Sequence, residues 1–131
     1  FNIVKGVLEG RTIVVVDDSI VRGTTSKQLV HLLREANPKA IHLRISSPPI
    51  MHPCFYGMDF PSSQELIAFQ KNGNIEEIKK YLEVDSLEYL TIDELLEAVS
   101  EAGKENFCTA CFSGKYPTNI DTNFKKEMYE V

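Results

Sequence analysis

No stretch of this sequence approaches the ~18 apolar residues that a membrane-spanning helix needs. Its opening, FNIVKGVLEG, lacks the positive segment and apolar stretch of a signal peptide. An excess of basic residues is also missing. The net charge is −5, with Lys and Arg scattered along the chain, which argues against nucleic acid as the main partner because a phosphate backbone favours a basic face. Cysteine is scarce, and three is an odd number, a poor fit to a closed disulfide framework. Without an export signal, metal or redox chemistry is favoured over structural disulfides. Neither G-x-x-x-x-G-K-S/T nor G-x-G-x-x-G occurs, so two familiar glycine-loop nucleotide motifs are excluded. Internal repeats and low-complexity tracts are absent. So is an initiator Met, and a buried-type strand begins almost at once; the expectation is a piece of a longer protein.

What is present suffices for one compact domain, because 131 residues of which 43% are hydrophobic can bury one real core but not two. Thr12–Val16 is β-branched and apolar on both faces, the pattern of a strand buried in a parallel sheet. Asp17-Asp18-Ser19 ends it. Thr24-Thr25-Ser26 offers hydroxyl caps, and Leu29, Val30, Leu32 and Leu33 mark the inner face of a helix running to about Ala36. Asn37-Pro38 stops that helix. Ile41, Leu43 and Ile45 alternate with His42 and Arg44 in a second strand, completing a βαβ unit whose crossover is expected to be right-handed. Residues 47–61 hold Pro48, Pro49, Pro53, Gly57 and Pro61 and form a long stiff loop that also carries Cys54, Phe55 and Tyr56. Capping-box starts then predict helices from Ser62 to about Lys71, from Asn74 to about Leu82 and from Thr91 to about Ala102. Leu87–Leu90 is short enough for an edge strand, and from Glu105 the pattern is irregular. The fold class is α/β: a βαβ unit over residues 1–61, then helices and a cysteine-bearing tail over 62–131, in a single region.

The informative segment is IVVVDDSIVRGTT, Ile13–Thr25. The carboxyl end of a parallel strand followed by a helix amino terminus is where open α/β sheets bind ligands. The helix start brings unpaired N–H groups and about half a positive charge, suited to a phosphate dianion. Gly23 lets the backbone approach the anion without a Cβ in the way, and Ser19, Thr24 and Thr25 add hydroxyl donors. Asp17 and Asp18, by contrast, repel phosphate. They suit the acceptance of hydrogen bonds from a vicinal diol and the organisation of Mg2+, a hard cation that prefers oxygen. A diol acceptor pair just ahead of a phosphate cradle matches the two ends of ribose 5-phosphate. The competing reading, that Asp-Asp merely ends a strand and caps a helix, serves for a bare Asp-Asp-Ser and leaves the rest of the run unexplained. An acidic surface around one local anion site is ordinary for a cytoplasmic enzyme that handles phosphates.

This run resembles the signature of the type I phosphoribosyltransferases, and DDSIVRGTTS is similar to the form found in the glutamine phosphoribosylpyrophosphate (PRPP) amidotransferase family. The likeness continues through SSPPIMHPCFYGMDFPSSQELIA and FCTACFSGKYP and so covers nearly the whole chain. The resemblance implies the type I phosphoribosyltransferase fold, a parallel sheet with flanking helices, in its carboxy-terminal part. It also implies an enzyme of purine synthesis. In that family an amino-terminal glutaminase, absent from these residues, releases ammonia, which displaces pyrophosphate from PRPP to give 5-phosphoribosylamine. Asp17 and Asp18 would hold the ribose hydroxyls and Mg2+, while Ser19, Ile20, Val21, Arg22, Gly23, Thr24 and Thr25 would wrap the 5-phosphate, mainly by backbone N–H. No side chain here looks like a nucleophile, so the contribution to catalysis is binding and orientation, and this stretch alone is expected to be inactive. Purine nucleotides such as AMP or GMP would inhibit from the same pocket, and the full-length protein would be a cytoplasmic homo-oligomer.

Cys108 and Cys111 are spaced C-x-x-C, with Cys54 far upstream. On the residues alone, free buried cysteines or a zinc site completed by His52 stay open. The resemblance implies instead three of the four ligands of a 4Fe-4S cluster carried by some family members, the fourth lying before residue 1; thiolates are soft ligands suited to such clusters. His31 and His42 read as structural and His52 as loop packing. Arg22 either pairs with a phosphate or points to solvent. Phe55, Tyr56 and Phe60 read as core beneath the loop rather than as a base-stacking platform.

Overall fold

The computed structural model describes residues 5–58, 62–99, 101, 103 and 106–120. Strands β1 (Thr12–Asp17), β2 (Ala40–Ile45) and β3 (Ser86–Tyr89) form a parallel sheet in the order β1-β2-β3. Thr12 lies beside Ala40 and Asp17 beside Ile45, while His42 lies beside Ser86 and Ile45 beside Tyr89. Helix α2 (Thr24–Arg34) connects β1 to β2, and α3 (Ile67–Gln70) and α4 (Ile75–Leu82) lead into β3. The remaining helices are α1 (Lys5–Leu8), α5 (Ile92–Ala98) and α6 (Ala110–Ser113). The expected α/β class, the parallel βαβ unit and the short edge strand are all present.

Period-two alternation decides which face of β2 is covered. Ile41, Leu43 and Ile45 are almost wholly buried and pack with Val30 of α2, Ile67 and Ala68 of α3, and Ile78 and Leu82 of α4. Each such Leu or Ile contributes roughly 1.5–3 kcal/mol by leaving water. The other face is different. The expectation of a β1 buried on both sides is corrected here, because Val14 is 59% and Val16 71% exposed. Both sit on the face away from the core cluster, beside His42 and Arg44, and among the described residues β1 is an edge of the sheet. That face is polar on the other two strands. Ser86 Oγ stands 2.7 Å from His42 Nδ1 and accepts from Arg44 Nη1 at 2.8 Å, and Arg44 pairs with Glu88 at 3.3 Å. His42 is thus structural, as expected, and His31 is an exposed helix residue near Glu83.

The helices follow their local signals unevenly. Asn74 accepts from the Glu77 N–H, and Thr91 and Glu94 close a full capping box, so α4 and α5 begin where expected. Helix α5 stops at Ala98, short of the expected Ala102, which lies outside the described residues. The single helix expected from Ser62 to Lys71 is instead a 3-10 turn, Ser63–Glu65, and then α3, with Leu66 extended between them. Leu66 and Ile67 are both buried, and one continuous helix does not form where both are seated in the core. The hydroxyl cap expected for α2 is absent too. Its N-cap is Gly23 at φ 75°, with no side-chain cap bond.

Helix α6 was not expected, since residues beyond Glu105 carry no clear period. It forms where the tail folds back on the proline-rich loop. The Met51 and His52 N–H groups both donate to the Cys111 carbonyl at 2.9 Å, and Tyr116 Oη donates to the Pro53 carbonyl at 2.7 Å. Phe55 and Tyr56 are 38% and 42% exposed, so they are not core beneath the loop. Phe55 packs edge-on against Tyr116 at 5.2 Å, and the Tyr56 hydroxyl lies 2.9 Å from Thr118 Oγ1. Phe60 lies outside the described residues.

Candidate functional site

The loop between β1 and α2 is held from three directions. Ile20, 2% exposed, points into the core and serves as its anchor; its side chain is not available to a ligand. At the strand end, the Asp17 carbonyl accepts from the Ser46 N–H at 3.0 Å and the Ser46 hydroxyl at 3.2 Å, which ties β1 to the residue after β2. Behind the loop, the Val21 carbonyl accepts from the Ile67 N–H at 2.9 Å.

These contacts consume carbonyls and leave amides. Among the described residues, no N–H of Ser19, Ile20, Val21, Arg22 or Gly23 is hydrogen-bonded to protein, and the first N–H groups of α2 have no intrahelical acceptor by geometry. A run of unpaired donors ending at the positive end of a helix is an anion-binding surface. Gly23 makes the turn possible. Its φ of 75° lies in the left-handed region, and a Cβ there would come within 2.7 Å of Ile67 Cδ1 and 3.2 Å of Tyr81 Cε1.

The sequence-predicted residues come together around this surface. Asp17 is half-buried and its Oδ1 accepts from the Asp18 N–H at 3.0 Å; Asp18 itself is exposed. Ser19 and Val21 are half-buried, and Thr24 and Thr25 are exposed on the first turn of α2. Arg22 pairs with Glu65 at 3.0 Å, a partner that neither of its two expected roles named. Ser46, Glu65, Ile67 and Tyr81 belong to the site's framework but were not singled out in the sequence. Only Ser46 carried a signal, since it follows the neighbouring strand's carboxyl end.

The cysteines form a second neighbourhood, at the junction of the proline-rich loop and the tail. Burial raises the Cys111 thiol above its usual range, and the nearby Cys54 and Cys108 push the same way. Cys54 lies in the loop whose Met51 and His52 amides donate to the Cys111 carbonyl, so the fold brings the two segments that carry the cysteines side by side. Yet among the described residues no three His, Cys, Asp or Glu side chains converge to hold one metal ion. His52 packs instead over Gly114, whose Cβ would meet His52 Nε2 at 2.9 Å, so His52 is loop packing, as expected. No helix of the described residues is long and apolar enough to cross a membrane.

No protein-family model matches the chain. It is 50% identical over 125 residues to the amidophosphoribosyltransferase of Synechococcus elongatus, which covers 95% of this chain and 25% of that protein. It is also 50% identical over 123 residues to the amidophosphoribosyltransferase of Methanocaldococcus jannaschii, 94% of this chain and 25% of that one. Among solved structures it superposes with a TM-score of 0.82 and 47% identity on glutamine PRPP amidotransferase from B. subtilis complexed with ADP and GMP, covering 92% of this chain and 27% of that chain. The chain thus spans about a quarter of the length of the curated relatives it matches. By sequence over nearly all its residues and by fold, it is homologous to a quarter-length stretch of the amidophosphoribosyltransferase family.

Proposed function

We propose that the protein carrying this chain is an amidophosphoribosyltransferase of purine synthesis. Ammonia released from glutamine attacks the sugar C1 of PRPP, the bond from C1 to the pyrophosphate oxygen breaks, and 5-phosphoribosylamine, pyrophosphate and glutamate result. The observation that carries this reading is the run of unpaired amides from Ser19 to Gly23 directly after two carboxylates at the end of β1.

In this reading the loop amides and the start of α2 bind the 5-phosphate, while Asp17 and Asp18 accept hydrogen bonds from the ribose hydroxyls. Fixing both ends of the sugar holds C1 in line for attack, which converts part of the barrier into binding already made. The oxygens of Asp17 and Asp18 are the donors a hard cation prefers, and bound Mg2+ would neutralise the departing pyrophosphate. No side chain of the loop acts as a nucleophile. Purine nucleotides carry the same sugar phosphate, and the B. subtilis neighbour is complexed with ADP and GMP, so the loop is also assigned as a place where nucleotide inhibitors compete with PRPP.

Cys54, Cys108 and Cys111 are proposed as ligands of a 4Fe-4S cluster, with the fourth ligand outside this chain. The ligand thiolates of such a cluster sit on different irons, so they need to be neighbours without converging on one ion. The backbone bonds that tie the Cys54 loop to the Cys111 segment support that arrangement. A cytoplasmic location and a homo-oligomeric assembly belong to the same proposal.

The test is the double substitution Asp17→Asn/Asp18→Asn in the intact protein, with PRPP affinity measured calorimetrically in the presence of Mg2+. Hydrogen bonds to a charged acceptor are worth about 1.5–3 kcal/mol, so a loss of roughly tenfold or more is expected. Unchanged affinity would overturn the reading.

A further inference from the structure

We infer that Glu65 and Ile67 are positioning residues for the phosphate loop: they clamp the Val21–Arg22 peptide from behind so that its N–H points into the anion site. The inference rests on the proposed reading of that loop as a phosphoribosyl site. A trans peptide is planar, with its C=O and N–H pointing in opposite directions. Ile67 donates its N–H to the Val21 carbonyl at 2.9 Å, and this fixes the direction of the Arg22 N–H in the same peptide unit. One residue along, the Ile67 side chain stands against the Gly23 α-carbon, close enough that a Cβ would be 2.7 Å from its Cδ1. Two residues back, Glu65 takes the Arg22 guanidinium at 3.0 Å. Three successive loop residues are therefore held by one short segment, through a backbone bond, a side-chain wall and an ion pair.

The break between the 3-10 turn and α3 makes this possible. Leu66 is extended, at φ −76° and ψ 118°, and Ile67 opens α3 with an N–H that the helix itself cannot use. A continuous helix from Ser62 would have spent that donor on an internal carbonyl. Segment 65–67 thus holds the loop in its binding shape before any ligand arrives, and Arg22 acts as a tether rather than as a phosphate contact.

Glu65 is exposed and lies outside the core, so its substitution should leave the fold intact. The experiment measures PRPP affinity in the presence of Mg2+ for the intact protein and for Glu65→Ala, Arg22→Gln and the double variant, with the thermal midpoint of each. An exposed ion pair is worth little by itself, so each single variant is expected to weaken binding by about threefold to fivefold while the midpoint stays nearly fixed. The double variant is expected to lose no more than either single one, because both remove the same tether. A merely structural role would move the midpoint and leave affinity alone. If Glu65→Ala bound PRPP as tightly as the wild type, or more tightly because it frees Arg22 for the phosphate, the inference would be overturned. It would also be overturned by losses that add. Wild-type protein that binds PRPP while the variants match it removes only this inference; wild-type protein that does not bind PRPP removes the reading beneath it as well.

Discussion

Gly23 concentrates two constraints in one residue. It must take a φ of 75° to turn the chain into α2, and its α-carbon must lie against Ile67 and Tyr81. The Ile67 Cδ1 is the end of a flexible side chain and can move, but Tyr81 stands at 3.2 Å from a built Cβ and carries Lys27 over its ring at 4.6 Å. Gly23→Ala is therefore expected to destabilise the chain by about 1–3 kcal/mol through backbone strain and crowding together, measured by denaturant unfolding; a variant as stable as the wild type would show that the turn tolerates a Cβ. The sequence offered a reason for a missing Cβ at Gly23, close approach of the backbone to an anion, but not the left-handed turn. Nor did it show the partners that make the glycine obligatory. Ile67 and Tyr81 reach it from segments far along the chain, and a residue's own neighbours say nothing about what folds behind it.

At the scale of elements, the legible features were those whose stabilising bonds are local. The starts of α4 and α5 depend on side chains within three residues of the N-cap, so they could be placed from the sequence. The 3-10 turn and α3 could not, because Leu66 is fully buried and Ile67 joins a core built by distant strands and helices. Asp85 shows the same dependence. Its Oδ2 accepts from the Ile41 N–H at 2.7 Å and from Arg34 Nη2 at 2.8 Å, and Arg34 also donates to the Glu83 carbonyl at 2.9 Å. One carboxylate thereby joins the end of α2, the start of β2 and the approach to β3. The Ile41 amide, and then Arg34, hold the Asp85 carboxyl below its ordinary value of 3.8. A depressed folded pKa contributes stability that is present above the unfolded value and lost as pH falls through the folded one. Asp85→Asn is thus expected to be less stable than wild type near neutrality, with the gap closing as pH drops below 3.8. Thermal midpoints across that range check it, and a gap independent of pH would mean that the carboxylate's charge is not what joins these elements.

For the molecule as a whole, the consequential property is the inequality of the two sheet faces. One face carries Ile41, Leu43 and Ile45 into the core with α2, α3 and α4. The opposite face sets exposed Val14 and Val16 beside a polar ladder of His42, Arg44, Ser86 and Glu88. The run Thr12–Val16 was read as buried on both sides because it is β-branched and carries apolar residues on both faces, and composition cannot say what covers a strand. The two faces should answer mutation differently in the 131-residue chain. Replacing Val14 and Val16 together by Thr keeps β-branching and removes little buried area, so it is expected to change the unfolding free energy by under about 0.5 kcal/mol. Leu43→Ala, one register position from Val14 but on the covered face and 1% exposed, is expected to cost about 2–5 kcal/mol by leaving a cavity. Denaturant titration of the two variants makes the comparison within one sheet. Equal losses would mean that Val14 and Val16 are covered in the folded chain and that the sheet has a second apolar layer; a large ratio means that its hydrophobic stabilisation comes from the helix side alone.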